Sequence, residues 1–230
     1  MDSDSTRSGI PWREQIRLTH AAGQRSVGKP GFHATNEQCR LANRDHAGTI
    51  HPPIMRSPAT RERILELLRA LGKQAKGPGT VYLVGGSSIV LLGAGRDSTI
   101  DVDLKLDPEP AGIFEAIAAL KNTLDLNIEL AAPDQFIPAV PGWKERSEFI
   151  DKIGDVEFHH YDLYSQALAK LERGHDRDRL DVENMIENDL VERNRLLELF
   201  GQIEDNLIRY PSIDAAKFRQ VVEATSKPPA

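Results

Sequence analysis

Between Val81 and Asp107 the chain passes from an apolar run, Val81-Tyr82-Leu83-Val84, into Gly85-Gly86-Ser87-Ser88, and on to Ile100-Asp101-Val102-Asp103-Leu104-Lys105-Leu106-Asp107. Strict alternation over eight residues is the period of a strand with one buried face. Ile100, Val102, Leu104 and Leu106 are therefore expected on one side, and Asp101, Asp103, Lys105 and Asp107 on the other. The run Val81 to Val84 is rich in β-formers and stops at glycines, so it reads as a buried strand feeding a tight turn. A strand, a turn and a second strand within so short a stretch constrain the fold more than any other part of the chain.

The same stretch has chemical consequences. Paired glycines let the backbone approach a ligand without a Cβ in the way, and Ser87 and Ser88 stand where a following helix begins. Free amides at that point favour a phosphate. Asp101 and Asp103, at i and i+2, point the same way about 7 Å apart, and a divalent metal can sit between them. Taken singly these features are ordinary, since an Asp-x-Asp on a strand is commonly solvated surface and a Gly-Gly is commonly a turn. Their succession, with Arg96 and Thr99 between, is much less ordinary.

Gly85-Gly86-Ser87 followed by Arg96-x-x-Thr99-x-Asp101-x-Asp103 resembles the signature of the nucleotidyltransferase superfamily with a DNA polymerase β-type core, in particular its small bacterial AbiEii-like members. The resemblance implies an α+β fold: a nucleotidyltransferase-like mixed β-sheet flanked by helices, with a C-terminal helical region. It implies that Gly85, Gly86 and Ser87 hold nucleotide phosphates, with Arg96 and Thr99 in the same motif, and that Asp101 and Asp103 bind magnesium or manganese. Its pattern asks for an acid on the strand after the Asp-x-Asp strand. Leu124-Asp125-Leu126-Asn127-Ile128-Glu129-Leu130 alternates as strictly as the first strand, so Glu129 is the candidate, although Asp125 shares its face.

Further on, Asp162 can cap a helix carrying Leu163, Ala167 and Leu171, and Lys170 falls close to the same face. A lysine on an inward face either meets an anion or snorkels to solvent. The resembled enzymes carry a lysine on a helix after the core, then a basic residue and an Asp-x-x-Asp element. Lys170-Leu-Glu-Arg173-Gly-His-Asp-Arg177-Asp178-Arg-Leu-Asp181 fits that order. The resemblance implies that Lys170 touches phosphate and that Asp178 and Asp181 order the site. As acids in the first turns of a helix they also need no further reason than its dipole.

Composition narrows the classes. With 230 residues, 40% of them hydrophobic, the chain can bury one substantial core or a core with a helical appendage. One cysteine, Cys39, excludes an intramolecular disulfide and a thiolate metal cluster. No stretch approaches a membrane span and no basic-then-apolar leader opens the chain, so cytoplasmic residence without a membrane is expected. Residues 1–54 hold seven basic and five acidic side chains, which leaves residues 55–230 with 22 and 30 and a net charge of −8. An acidic body argues against a broad nucleic-acid-binding surface. A P-loop is excluded because no Gly-Lys-Ser/Thr follows the glycines, and a dinucleotide fold because Gly-x-Gly-x-x-Gly is missing.

Residues 1–54 are polar and without periodicity, and are expected to be disordered, with Met55 as the natural start. Residues 55–161 form the expected α/β core and residues 162–225 a helical region packed on it. Ser57-Pro58 reads as a helix start, Ile64, Leu67, Leu68 and Leu71 as its buried stripe, and Gly72 as its stop. Residues 131–148 read as a long loop, in which Lys144 and Arg146 are solvated or meet phosphate. Adjacent His159 and His160 sit on a strand and point to opposite faces, so they cannot readily chelate one ion.

The reading that unites these features is a magnesium-dependent nucleotidyltransferase using a nucleoside triphosphate. In the terms of the resemblance it is toxin-like, with an RNA end or a protein hydroxyl as acceptor and a cognate antitoxin as partner. Two others fit the same letters: a catalytically degenerate member that binds nucleotide or a protein partner, and a non-enzymatic module with an acidic face.

Overall fold

Alternating apolar residues build a sheet whose two faces differ in chemistry. The computed structural model describes residues 56–227, which fall within the compact unit Arg56–Ala230. The expected disorder of residues 1–54 and the start at Met55 concern residues outside these. Two short strands, β1 (Ala59–Thr60) and β3 (Ser98–Thr99), pair antiparallel. The main sheet has the order β5-β4-β2-β7-β6, formed by β2 (Gly79–Val84), β4 (Asp101–Leu106), β5 (Asn127–Leu130), β6 (Glu148–Ile153) and β7 (Val156–His160). β2 is antiparallel to β4 and parallel to β7, β5 is parallel to β4, and β6 is antiparallel to β7, so the sheet is mixed.

On one face Val81, Leu83, Val102, Leu104, Ile128 and Phe158 are buried beneath α1 (Arg61–Gln74) and α3 (Ile113–Thr123). Each such side chain contributes about 1.5–3 kcal/mol when taken out of water, which secures the register that hides it. On the other face lie Tyr82, Val84, Asp101, Asp103 and Lys105. Against this side comes a second core built from α5 (Leu163–Arg173), α6 (Asp176–Glu187), α7 (Arg193–Ile203) and α8 (Ala215–Ser226), with Ile137 and Val140 from the segment after β5. α2 (Gly85–Leu92) joins the two cores, burying Val90 and Leu91 in the first and Ile89 in the second. A small aromatic cluster, with Trp143 of α4 (Trp143–Arg146) stacked on Tyr161 at 4.6 Å and Tyr82 edge-on to both, fills the rest of the carboxylate face.

Several local expectations are corrected. Ile100 is 60% exposed and Leu130 44% exposed, because β4 begins only at Asp101 and β5 ends at Leu130. The alternation of 124–130 is cut short at its start: Asp125 has φ +48° and its carboxylate accepts from the amide and hydroxyl of Ser57. That contact removes Ser57 as a helix cap, and the helix starts instead at Arg61, after β1. Gly72 does not end α1; a Cβ there would stand 2.6 Å from Ile153 Cβ, so the glycine lets the helix press on the sheet. Helical spacing groups Leu196, Leu197, Phe200 and Ile203 as the inward stripe of α7, but Leu197 turns outward and Leu199 is buried in its place. Residues 131–148 contain a 3-10 turn (Pro133–Gln135) and α4 rather than open loop. β6 has no signal in the letters, since a register shift between Phe149 and Asp151 breaks its alternation.

Candidate active site

The sheet register decides which acids meet. Asp103 pairs with Val84 on one side and Glu129 on the other, and Asp101 pairs with Asn127, so the polar side chains of β4 and β5 stand side by side. Asn127 Nδ2 donates to Asp101 Oδ1 at 2.7 Å and to Glu129 Oε1 at 2.9 Å. Asp101, Asp103 and Glu129 thus line one wall of a cleft of about 350 Å³. Asp125, the competitor for the third acid, lies outside it on Ser57. Burial, and then the neighbouring charges of Asp101 and Glu129, push the Asp103 carboxyl up to about 6.

Gln166, Lys170 and Arg173 form the facing stripe, at i, i+4 and i+7 of α5. The helix is started by Asp162, whose carboxylate accepts from the amides of Tyr164 and Ser165 and is held in a fork by Arg146. Gln166 fastens the stripe to the sheet: its Oε1 accepts from Gly85 N at 2.7 Å and its Nε2 donates to Tyr161 O at 2.7 Å. Lys170 is 6% exposed and donates to Asp178 Oδ1 at 3.1 Å and Asp181 Oδ2 at 2.6 Å. Arg173 embraces Asp178 through Nε at 2.7 Å and Nη2 at 2.6 Å, yet its side chain remains half exposed. Burial raises the Asp178 carboxyl, but hydrogen bonds from Arg173 and the charge of Lys170 outweigh this and hold it below its ordinary value. Arg96 forks onto Asp181, its Nε donating to Oδ1 and its Nη2 to the Oδ2 that also accepts from Lys170.

Two carboxylates and three cations therefore make one network, buried at Lys170, Asp178 and Asp181 and open to solvent at Arg173, and Lys170 and Arg173 line the same cleft as the three acids, with Glu172 beside them. Asp178 and Asp181 line no part of the cleft; they hold Lys170, Arg173 and Arg96 in place. Arg96, expected at the phosphate, is instead committed to Asp181, and Lys170 reaches the cleft with its ammonium already engaged.

The Gly-Gly-Ser turn is tighter than its letters suggest. α2 begins directly at Gly85, with φ +62°, where a Cβ would stand 2.9 Å from Asp103 Oδ2. A Cβ on Gly86 would collide with the Thr99 hydroxyl and meet Arg96 at 3.0 Å. Gly85 thus makes room at the cleft, whereas Gly86 makes room for β3 behind it, and Thr99 is a buried packing residue there. Ser87 is buried and its Oγ donates to Val84 O at 2.8 Å, so its hydroxyl is turned away from the cleft.

Other charged candidates are tied elsewhere. Lys144 pairs with Asp107 at 2.8 Å and Arg146 with Asp162, so neither faces the cleft. His160 is buried with Nδ1 2.8 Å from Ser88 Oγ, while His159 lies against Tyr82 on the opposite face. Three residues of the site were missed in the letters. Asn127 shares the face of Glu129 by simple alternation, and Gln166 shares the stripe of Lys170 by the four-residue step. Phe136, which also lines the cleft, has no such signal.

Among the described residues no three His, Cys, Asp or Glu side chains are drawn together tightly enough to hold an ion as they stand. The donor chemistry nonetheless fits a hard divalent cation: all donors are carboxylate oxygens, and Asp103 is raised by burial and then by the charges of Asp101 and Glu129 beside it.

A mixed five-stranded sheet carrying Asp-x-Asp on an inner strand, next to a strand that ends in a glycine turn and helix, defines a nucleotidyltransferase-like α+β protein. The family model for "Nucleotidyltransferase of unknown function (DUF6036)" matches residues 62–226, and the chain belongs to that family. Membership supports nucleotidyl transfer as the class of activity and a nucleotide as substrate. No curated protein and no solved structure matches the chain. No helix among the described residues is long and apolar enough to cross a membrane.

Proposed function

We propose that the chain transfers a nucleoside monophosphate from a nucleoside triphosphate to a hydroxyl acceptor, with magnesium or manganese held by Asp101 and Asp103 and completed by Glu129. The observation that carries this reading is the meeting of both charges within one cleft, three carboxylates on the sheet and the cations Lys170 and Arg173 on α5, with Glu172 beside them. Carboxylates alone repel a triphosphate, and cations alone leave no site for an ion. When bound, a divalent ion offsets charge on the phosphate oxygens and favours ionisation of the acceptor hydroxyl.

The chain's own residues do the rest. Of the Gly-Gly-Ser turn only Gly85 lines the cleft, where its missing Cβ lets a phosphate come close, while Gly86 and Ser87 are buried behind it and take no direct part. The acceptor oxygen forms a bond to the α-phosphorus, the bond from that phosphorus to the bridging oxygen breaks, and pyrophosphate departs toward Arg173. Glu129, exposed at the cleft mouth, takes the hydroxyl proton unless it is engaged with the ion. Arg96, Thr99, Asp178 and Asp181 act through position, by fixing α2, Lys170 and Arg173.

The resemblance to AbiEii-type toxins extends the proposal to an RNA end or a protein hydroxyl as acceptor, with a cognate antitoxin as partner. Incubation with each labelled nucleoside triphosphate, magnesium, and RNA or protein acceptors tests it. Label transfer by the wild type that disappears in Asp101→Ala is expected; no transfer, or equal transfer by the variant, refutes it. A second reading, nucleotide binding without turnover, is favoured by the carboxylates' failure to converge and by the engaged ammonium of Lys170. Saturable nucleotide binding with no label transfer to any acceptor distinguishes it.

A further inference from the structure

The cleft has an end that phosphate chemistry does not use. Ala131, Ala132, Pro133 and Phe136 make its apolar wall, opposite Ala169 of α5. Among the described residues three phenylalanines are notably exposed, Phe114, Phe136 and Phe149, and of these only Phe136 lines the cleft, with 55% of its surface uncovered. Its backbone is not loose. The amides of Phe136 and Ile137 donate to Pro133 O at 2.9 and 3.0 Å, and Gln135 Oε1 accepts from Ala132 N. Ile137, next in sequence, is fully buried in the second core. A rigid turn therefore holds an aromatic ring in solvent at the mouth of a charged cleft, which leaves apolar area unburied that any ring-shaped ligand would cover.

We propose that Phe136 is the stacking platform for the nucleobase of the substrate, and that the site distinguishes bases by ring area rather than by their hydrogen-bonding edges. This rests on the nucleotidyl-transfer reading, because the triphosphate on the charged wall is what brings a base to the apolar one. The apolar wall itself reads no edge, because Ala131, Ala132, Pro133 and Phe136 carry no polar side-chain atom; Glu172 lines the cleft from α5, on the charged side with Lys170 and Arg173. Gln166 is the cleft's only amide, and both ends of that amide are taken by Gly85 and Tyr161. No hydroxyl side chain lines the cleft, and Asp134, within the turn, lines no part of it: its Oδ2 accepts from Lys105 at 2.6 Å and its Oδ1 is buried. Every base has a π-face, so stacking is tolerant of identity, and a purine covers more of a phenyl ring than a pyrimidine does.

Calorimetric titration of the wild type, Phe136→Leu and Phe136→Trp, with magnesium and each of ATP, GTP, CTP, UTP and inorganic tripolyphosphate, tests this. The wild type should bind the two purine nucleotides alike and more tightly than the pyrimidine pair. Phe136→Leu should weaken every nucleotide by about tenfold or more and flatten the purine preference, with tripolyphosphate unchanged and Phe136→Trp restoring affinity. Unchanged nucleotide affinities in Phe136→Leu overturn the proposal, as does equal weakening of tripolyphosphate. Discrimination of about 100-fold or more between two bases of the same ring size also overturns it, since only edge contacts achieve that. If the wild type binds neither tripolyphosphate nor nucleotides, the nucleotidyl-transfer reading falls and takes the platform with it; loss of the Phe136 effect alone sinks only the platform.

Discussion

Replacing Asp103 by Asn should stabilise the metal-free protein at neutral pH, although Asp103 belongs to the proposed ion site. Burial and the charges of Asp101 and Glu129 move its carboxyl from the ordinary 3.8 to about 6. A shift of about two units at about 1.4 kcal/mol each sets a ceiling of about 3 kcal/mol, and water in the open cleft reduces this to about 1–2 kcal/mol. The sign follows from proton counts. Between pH 4 and 6 the folded chain holds a proton on Asp103 that the unfolded chain has lost, so stability falls as pH rises through this window. The penalty is complete above about pH 6 and absent below about pH 4. Asn carries no charge and escapes it. Thermal unfolding in chelator should show Asp103→Asn melting about 2–8 °C above wild type at pH 7.5, with the gap closing toward pH 4. Magnesium should then raise the melting temperature of the wild type and not of the variant. A variant no more stable than wild type at pH 7.5, or a gap indifferent to pH, would refute the account of crowded carboxylates.

Three further outcomes are expected. His160 is held neutral, its proton affinity lowered to about 3 by burial and then by the Arg61 charge, so its contribution is intact above pH 6.5 and is lost as pH falls toward 3. His160→Gln should remove about 1.4 kcal/mol per pH unit from the acid-side slope seen by urea unfolding; an unchanged slope contradicts this. Gly72→Ala should destabilise by about 1–3 kcal/mol in thermal melts, because the new Cβ meets both Ile153 Cβ and Ile153 O; a neutral result would mean that the helix shifts freely. Lys170→Met leaves Asp178 and Asp181 with only Arg173 and Arg96, and should cost about 3 kcal/mol in urea unfolding; a stabilised variant would show that the buried network is an expense the fold can dispense with.

The strands that carry Asp101, Asp103 and Glu129 were legible because each alternates, and alternation alone says which side chains share a face. Alternation does not say where a strand ends. Ile100 and Leu130 fit the pattern and are exposed all the same, because Ile100 precedes β4 and Leu130 is the last residue of the edge strand β5. The helix after Asp162 was legible from its cap and stripe. That Lys170 is buried among aspartates was not, because a snorkelling lysine and a paired one look alike until the next helix is packed. Phe136 gave no signal at all: an exposed phenylalanine in a turn acquires meaning only when a cleft forms beside it.

By itself the sequence determined which side chains share a face on the two carboxylate strands and on the helix after Asp162, since this depends on neighbours two to four residues apart. It also determined that the donors available for an ion are carboxylates rather than thiolates. The tertiary structure decided which faces meet. The parallel pairing of β4 with β5 brings Glu129 rather than Asp125 to the aspartate pair, and the docking of α5 and α6 turns Arg96, Asp178 and Asp181 into a buried brace. The reason is physical: a register or an ion pair spanning tens of residues is selected by the core it completes, and no short-range pattern encodes that choice.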